Sequence, residues 1–292
     1  MIIAIYGRPF KKNLTPYIET VLKTLKDINA EYIVYEAYSQ FLKQELHIQD
    51  SHQTFRTHQE IRGKIDFLLS IGGDGTMLET ISLVRDSGIP VIGINTGRLG
   101  YLAGIRKEDI QNALQELALG HYSIDARSLL HLETNNFIFG DVNYGLNELT
   151  IHKKDSSSMI TINAYLNGEF LNSYWADGLI VSTATGSTGY SLSCGGPIIL
   201  PHSESFVITP IAPHNLNVRP VIVSDKNIIS LEVEGRSRHF LATLDSRSVT
   251  IDSSIQLAVR KANFELHLIR LNGENYLNTL RNKLMWGIDM RN

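Results

Sequence analysis

The sequence predicts an α/β N-terminal domain, a parallel sheet covered by helices, followed by an all-β sandwich and a closing helix. Three observations predict it. Up to about residue 120, short apolar runs alternate with stretches of helical spacing, the pattern of strands and helices exchanging along a parallel sheet. After about Tyr122 the texture changes to β-branched and aromatic runs separated by Asn167-Gly168, Asp177-Gly178 and serine-rich turns, as antiparallel sheet requires. From Asn275 to Met285 helical spacing returns through Leu277, Leu280 and Leu284. The expected division is an α/β domain over residues 1–122, a β-sandwich over 123–272, and a helical segment over 273–292 that packs back.

The elements follow in order. Met1 to Tyr6 is apolar for six residues and meets Gly7-Arg8-Pro9, too short for a signal core or a membrane span and suited to a buried first strand. Ile18, Val21, Leu22, Leu25 and Ile28 mark a helix, residues 31–35 a strand. The polar stretch from about Gln44 to Lys64 has no clear periodicity and is read as a loop or mobile flap. Strands are expected at 66–71 and 91–95, with helices through Met77, Leu78, Ile81 and Val84 and through Ile110, Ala113, Leu114 and Leu117. In the second half, Met159 to Leu166, Ile228 to Val233 and Phe264 to Leu271 alternate well enough to bury one face each.

A length of 292 residues suits one large or two medium domains. With 43% hydrophobic and 20% charged residues and no internal repeat, the chain is neither disordered nor fibrous. A formal net charge of −3 gives no general attraction to nucleic acid or anionic membrane, so the expected partners are small molecules. Cys194, the single cysteine, allows no intramolecular disulfide and suits a reducing compartment; the cytoplasm is the expected location. His47, His52 and His58 lack metal-ligand spacing and are read as solvated loop residues.

Gly72-Gly73-Asp74-Gly75-Thr76 follows the apolar run Phe67 to Ile71 and opens a helical pattern. Its plain reading is a tight strand-to-helix turn, with glycine supplying positive φ and Thr76 as N-cap. Its functional reading is a phosphate site, because glycines let backbone approach a bulky anion and an acid at the carboxyl end of a parallel strand lies where open α/β sheets bind ligands. The loop is neither Gly-x-Gly-x-x-Gly nor a P-loop. Gly93 to Gly100 forms a second glycine-rich turn, which has the plain reading of a loop and the functional one of completing a phosphate or ribose cleft. The run from Asp177 to Pro197 is dominated by small hydroxyl residues and glycine with one aromatic, Tyr190; it is either a surface loop of the sandwich or a source of the convergent polar groups a nucleotide pocket needs. It contains no Gly-x-Ser-x-Gly elbow. Asn147-Glu148 taken alone reads as a surface pair.

Gly72 to Thr76, Asn95-Thr96-Gly97-x-Leu99-Gly100, Asn147-Glu148 and the Asp177 to Pro197 run together resemble the ATP-NAD kinases in order and spacing. The resemblance covers roughly residues 66 to 285, and the closing Leu280 to Gly287 is also similar. The glycine-aspartate motif by itself is shared with lipid kinases and phosphofructokinases; Thr185-Gly186-Ser187-Thr188-Gly189-Tyr190 is the more specific segment. What the resemblance implies is an enzyme, a phosphotransferase with an alcohol acceptor, that moves the γ-phosphoryl of ATP with Mg²⁺ or another divalent cation onto the adenosine-ribose 2′-hydroxyl of NAD. Asp74 would be the general base, placed with Gly75 at the ribose and diphosphate. Asn147 and Glu148 would hold the adenosine moiety, bordered by Tyr101 and Leu102. Asp177 would face the nicotinamide side of a dinucleotide, often a neighbouring subunit's. Thr188, Gly189, Tyr190 and Ser193 would line base pockets, with Ala212 and His214 nearby. Gly72, Gly73, Thr76, Trp175, Thr185 and Ser191 are counted with these binding residues, and a homodimer or homotetramer is implied.

Three departures stand out. Trp175 occupies a position where the family often has arginine, which leaves the choice between NAD and NADH open. Ala184 and Gly189 replace proline and alanine, and Asp245-Ser246-Arg247 stands where Asp-Gly-Gln is common. Two other readings stay open: a lipid kinase of the same superfamily, which needs an apolar acyl pocket, and a catalytically silent NAD-binding sensor. Asp74→Asn is expected to abolish most turnover while leaving the fold and much of dinucleotide binding intact.

Overall fold

Ile2–Gly7 forms β1, with Ile3, Ala4 and Ile5 buried in succession, as a strand covered on both faces requires. The computed structural model describes residues 1–45, 47–48, 52–97, 100–154, 158–273 and 275–286. Helix α1, Thr15–Asp27, has proline in its first turn and buries Ile18, Val21, Leu22 and Leu25, proline there being preorganised for the helix. The chain continues through β2 (Glu31–Tyr35), α2 (Glu36–Glu45), β3 (Gln53–Phe55), α3 (His58–Ile61), β4 (Phe67–Gly72), α4 (Asp74–Val84), β5 (Val91–Asn95), β6 (Ile105–Arg106) and α5 (Ile110–Ala118). These strands pair in parallel in the order β6-β5-β4-β1-β2-β3. The order reverses beside β1: the chain moves to β2 on one side and β4 returns on the other. The carboxyl ends of β1 and β4 therefore flank the crevice where open α/β sheets take ligands.

The stretch read as a loop or flap from Gln44 to Lys64 contains structure. Residues 46 and 49–51 lie outside the described residues, but β3 buries Phe55 and α3 buries His58 and Ile61. His58 is no solvated loop residue: its Nδ1 lies 2.7 Å from the Leu83 carbonyl oxygen. His52 Nε2 lies 2.7 Å from Ser39 Oγ. One turn of helix is too short to show periodicity, and its start is fixed by Glu60, whose Oε2 accepts the amides of Arg56 at 2.6 Å and Thr57 at 3.4 Å. Glu60→Ala is expected to cost about 1 kcal/mol and to lower Tm by about 2–4 °C in a thermal melt. Helix α2 escapes the sequence reading because it follows β2 with no intervening turn.

The second half is β7 (Tyr122–Thr134), β8 (Tyr144–Gly145), β9 (Glu148–Lys153), β10 (Ile160–Leu166), β11 (Glu169–Ala176), β12 (Gly178–Thr183), the short α6 (Tyr190–Ser193), β13 (Ser205–Ile211), β14 (Val221–Ser224), β15 (Ile229–Gly235), β16 (His239–Leu244), β17 (Arg247–Asp252) and β18 (Leu257–Leu271). One antiparallel sheet runs β14-β13-β12-β9-β16-β17 and the other β11-β10-β15-β18. Their inner faces share a core that includes Ile162, Tyr174, Leu179, Val181, Phe206, Leu231 and Phe240, the filling of a β-sandwich. Asn167 at φ +51° and Gly168 at φ +84° turn β10 into β11, both central residues in the left-handed region as a tight hairpin demands.

The closing helix α7, Tyr276–Leu284, is capped by Asn275, whose side chain accepts the Leu277 amide at 2.8 Å, and it buries Leu280. The chain forms two compact units, residues 1–125 with 267–292 and residues 126–266, so α7 belongs to the first. Among the described residues no helix is long and apolar enough to cross a membrane.

Candidate active site

In the first unit the β4–α4 turn carries the glycine-aspartate motif. Helix α4 begins at Asp74 with Gly73 as an extended N-cap, φ −107° and ψ −168°, so Thr76 is not the cap. Its side chain is tucked inward and buried. Glycine is not needed here for positive φ either, since Gly72, Gly73 and Gly75 all lie outside that region. Space is the reason. A Cβ on Gly72 would fall 2.2 Å from Thr76 Oγ1, whereas at Gly73 and Gly75 it would meet nothing within 4 Å. The first glycine closes the turn on the protein; the other two leave its outer side open.

The Asp74 carboxylate accepts three successive backbone amides. Oδ2 takes Tyr101 N at 2.7 Å, and Oδ1 takes Leu102 N at 3.0 Å and Ala103 N at 3.1 Å. These are charge-assisted bonds, and they leave acceptor capacity on Oδ2. A Cβ on Gly100 would lie 1.8 Å from Asp74 Oδ1, so only glycine fits against this carboxylate. Tyr101 is fixed from other sides too: Arg270, 3.0 Å from Asp125, reaches the Tyr101 carbonyl at 3.4 Å, and Lys283 of α7 stands 4.8 Å over its ring. Burial, then the Asp74 charge, pushes the Tyr101 phenol up. The second glycine-rich turn is tied to the first by Thr96 N donating to the Gly72 carbonyl at 3.1 Å; its Arg98 and Leu99 lie outside the described residues.

The second unit repeats the device. Asp245, between β16 and β17, accepts the amides of Leu146 at 2.8 Å, Asn147 at 2.8 Å and Glu148 at 3.1 Å, while its own amide donates to the Glu148 carbonyl at 3.0 Å. The turn Thr185–Thr188 closes on the same dipeptide, since a Cβ on Gly186 would fall 2.2 Å from the Asn147 carbonyl oxygen. At Gly189 a Cβ would stand 3.3 Å from Glu148 Oε2 and 3.6 Å from Asn147 Nδ2. Glu148 Oε2 is buried without a hydrogen-bond partner. Burial, then the Asp245 charge, pushes the Glu148 carboxyl up to about 8.

Burial, then Cys194, pushes the Tyr190 phenol up, and the charges of Asp177 and Glu148 add to this. Asp177 pairs with Lys153 Nζ at 2.5 Å. Trp175 packs its ring 4.4 Å from that of His214, whose amide donates to the Trp175 carbonyl at 2.9 Å. Pairing of β12 with β13 brings Ala212 and His214 alongside, through Gly178 opposite Ile211. Thr188 is half-buried and Ser193 exposed. Ser191 is turned inward, fully buried and 2.8 Å from Thr209 Oγ1; it is part of the packing under the turn. Thr185 Oγ1 accepts from Arg127 at 3.2 Å.

Gly72, Gly73, Asp74, Gly75, Thr76, Tyr101 and Leu102 thus gather around one turn of the first unit, with Leu102 buried and contributing its amide. Asn147, Glu148, Thr185, Thr188, Gly189 and Tyr190 gather in the second, while Trp175 and His214 pack on each other. The sequence names Gly100 and Asp245 only as motif positions, without the contacts they make here, and it does not single out Lys153 or Arg127. Arg247 donates to the carbonyls of Val142 and Tyr144, a role within the sandwich.

Comparison with known proteins follows the two halves. Residues 3–122 match the ATP-NAD kinase N-terminal domain and residues 146–271 the ATP-NAD kinase C-terminal domain. Over 292 residues, the whole of both chains, the protein is 50% identical to the NAD kinase of Cytophaga hutchinsonii. It is 45% identical to that of Flavobacterium psychrophilum and 41% identical to that of Bacteroides fragilis, again over the whole of both chains. Its fold is similar to that of a yeast NADH kinase solved with NADH, at TM-score 0.87 and 20% identity, covering 100% of this chain and 89% of that one. An Archaeoglobus fulgidus NAD kinase solved with ATP gives a TM-score of 0.77 at 24% identity, covering 98% and 99%.

Proposed function

Because this chain belongs to the ATP-NAD kinase family, we propose that it transfers the γ-phosphoryl group of ATP to the adenosine-ribose 2′-hydroxyl of NAD, giving NADP and ADP. The observation that carries this reading is Asp74: a carboxylate fixed by three amides at the carboxyl end of β4, beside two glycines with open outer faces. Its Oδ2 takes the proton of the 2′-hydroxyl, the ribose oxygen bonds to the γ-phosphorus, and the bond to the β,γ-bridging oxygen breaks as ADP leaves. A positioned carboxylate and an anion-tolerant backbone suit a reaction that depends mainly on alignment and charge neutralisation. Asn147 and Glu148 hold the adenosine moiety. Asp177 with Lys153 faces the nicotinamide side, and Thr188, Gly189, Tyr190 and Ser193 line the base pockets with Ala212 and His214 nearby. Ser191 and Leu102 contribute through packing and backbone.

Among the described residues no three His, Cys, Asp or Glu side chains converge as a metal cage. This donor set does not fit a cation held by protein alone. A divalent cation carried on a triphosphate takes its ligands largely from phosphate and water.

The test is NADP formation by purified protein from ATP, Mg²⁺ and either NAD or NADH. Turnover is expected, and the NAD to NADH ratio of kcat/KM reports the effect of Trp175 in place of arginine. Dinucleotide binding without turnover would favour a silent NAD-binding protein instead, and turnover only with lipid acceptors the lipid-kinase reading.

A further inference from the structure

We propose that Asp245 is the positioning residue of the Asn147–Glu148 dipeptide, fixing from a distant hairpin the two side chains that meet the adenosine part of the dinucleotide. The proposal rests on the functional reading above for the identity of the ligand. It stands on geometry. Asp245 takes the amides of residues 146, 147 and 148 on its carboxylate and gives its own amide to the Glu148 carbonyl. Asp245 holds φ +53°, in the left-handed region that aspartate enters more readily than most residues and that the two-residue hairpin between β16 and β17 uses. On the opposite side, the Asn147 carbonyl accepts Thr183 N at 2.9 Å and Ser182 Oγ at 3.2 Å, and the Leu146 carbonyl accepts Thr183 Oγ1 at 2.5 Å. The dipeptide backbone is thus clamped from both sides.

The Glu148 side chain is treated differently. Its Oε2 is buried without a partner, and Gly189 packs close beside it, where a Cβ would stand 3.3 Å from that oxygen. A buried unpaired oxygen costs stability, and a ligand group that hydrogen-bonds to it relieves the cost. The groups facing Glu148 are Asp245 from the β16–β17 hairpin and Tyr190 from α6, with Arg247 near Asp245. No cation opposes Asp245 at Glu148 among the interactions that shift it. Glu148, pushed up to about 8, therefore carries its proton at neutral pH and meets the ligand as a neutral O–H donor. Asp245 acts through Glu148 twice, by placing its backbone and by disfavouring its charge.

NAD affinity of the full chain is measured by calorimetry from pH 6 to 9.5, alongside amide hydrogen exchange of residues 146–148 in the ligand-free protein. For the unsubstituted protein, affinity is expected to be level to about pH 7 and to weaken toward tenfold per pH unit above about 8. Glu148→Gln is expected to lose that bend, whatever its affinity. Asp245→Asn keeps the side-chain shape but removes the charge and one acceptor oxygen. It is expected to raise Kd at pH 7 by about tenfold, to move the bend to lower pH, and to speed exchange at 146–148. Unchanged exchange in Asp245→Asn, or a bend that survives in Glu148→Gln, overturns the proposal. If Asp245→Asn does not fold, the Glu148→Gln profile still decides. Absence of NAD binding by the unsubstituted protein sinks the dinucleotide reading; the exchange result then decides whether Asp245 holds the dipeptide.

Discussion

Asp74→Asn is expected to lower kcat for NADP formation by about 10²- to 10⁴-fold, the span contributed by a positioned general base. The sequence alone leads to the further expectation that dinucleotide binding survives the change. The structure revises that. Both carboxylate oxygens accept backbone amides from Tyr101, Leu102 and Ala103, and an asparagine must turn an N–H₂ group toward at least one of these N–H donors. Two donors facing each other repel, so the 101–103 backbone shifts and KM for NAD rises as well. Steady-state kinetics separates the two roles: lost base chemistry appears in kcat, lost positioning in KM. A near-normal kcat would show that Asp74 is not the base.

Gly100→Ala is expected to reduce kcat/KM by a comparable factor while leaving the carboxylate in the protein. The added methyl would sit 1.8 Å from Asp74 Oδ1, far inside van der Waals contact, so either the carboxylate or the loop must move. Overpacking of this kind costs about 1–3 kcal/mol of stability, and a shift of about 1 Å at reacting groups costs about 10²-fold in rate. The check is kcat/KM together with a thermal melt. A folded Gly100→Ala protein with unaltered kinetics would mean that Asp74 tolerates displacement and that its placement in the ligand-free protein is not the one used in the reaction.

Both predictions rest on contacts to the Asp74 carboxylate that sequence reasoning did not find. The strands β1, β2, β4 and β5 and the helices α1, α4 and α5 were legible because apolar spacing is a local signal sustained over several residues. Helix α2 was hidden because strand β2 runs into it directly, and α3 and β3 because each is a single short piece whose buried residues, Phe55, His58 and Ile61, are separated by polar ones. The glycine-aspartate turn and Asn147-Glu148 were legible as motifs, but what fixes them was not. Asp245 lies 97 to 99 positions from the amides it accepts, and Asp74 lies 27 to 29 positions from its own. Thr76 was misassigned as a cap because a threonine after glycines suits that role, while here its side chain fills the space that Gly72 leaves.

Each unit, then, orders a loop around a carboxyl group that belongs to the protein itself, Asp74 in one and Asp245 in the other. Loops rich in glycine have the most conformational entropy to lose when they become fixed. Here that loss falls at folding, shared with the rest of each unit, and does not recur each time a nucleotide arrives. Such preordering lets the free energy of each new contact count toward affinity.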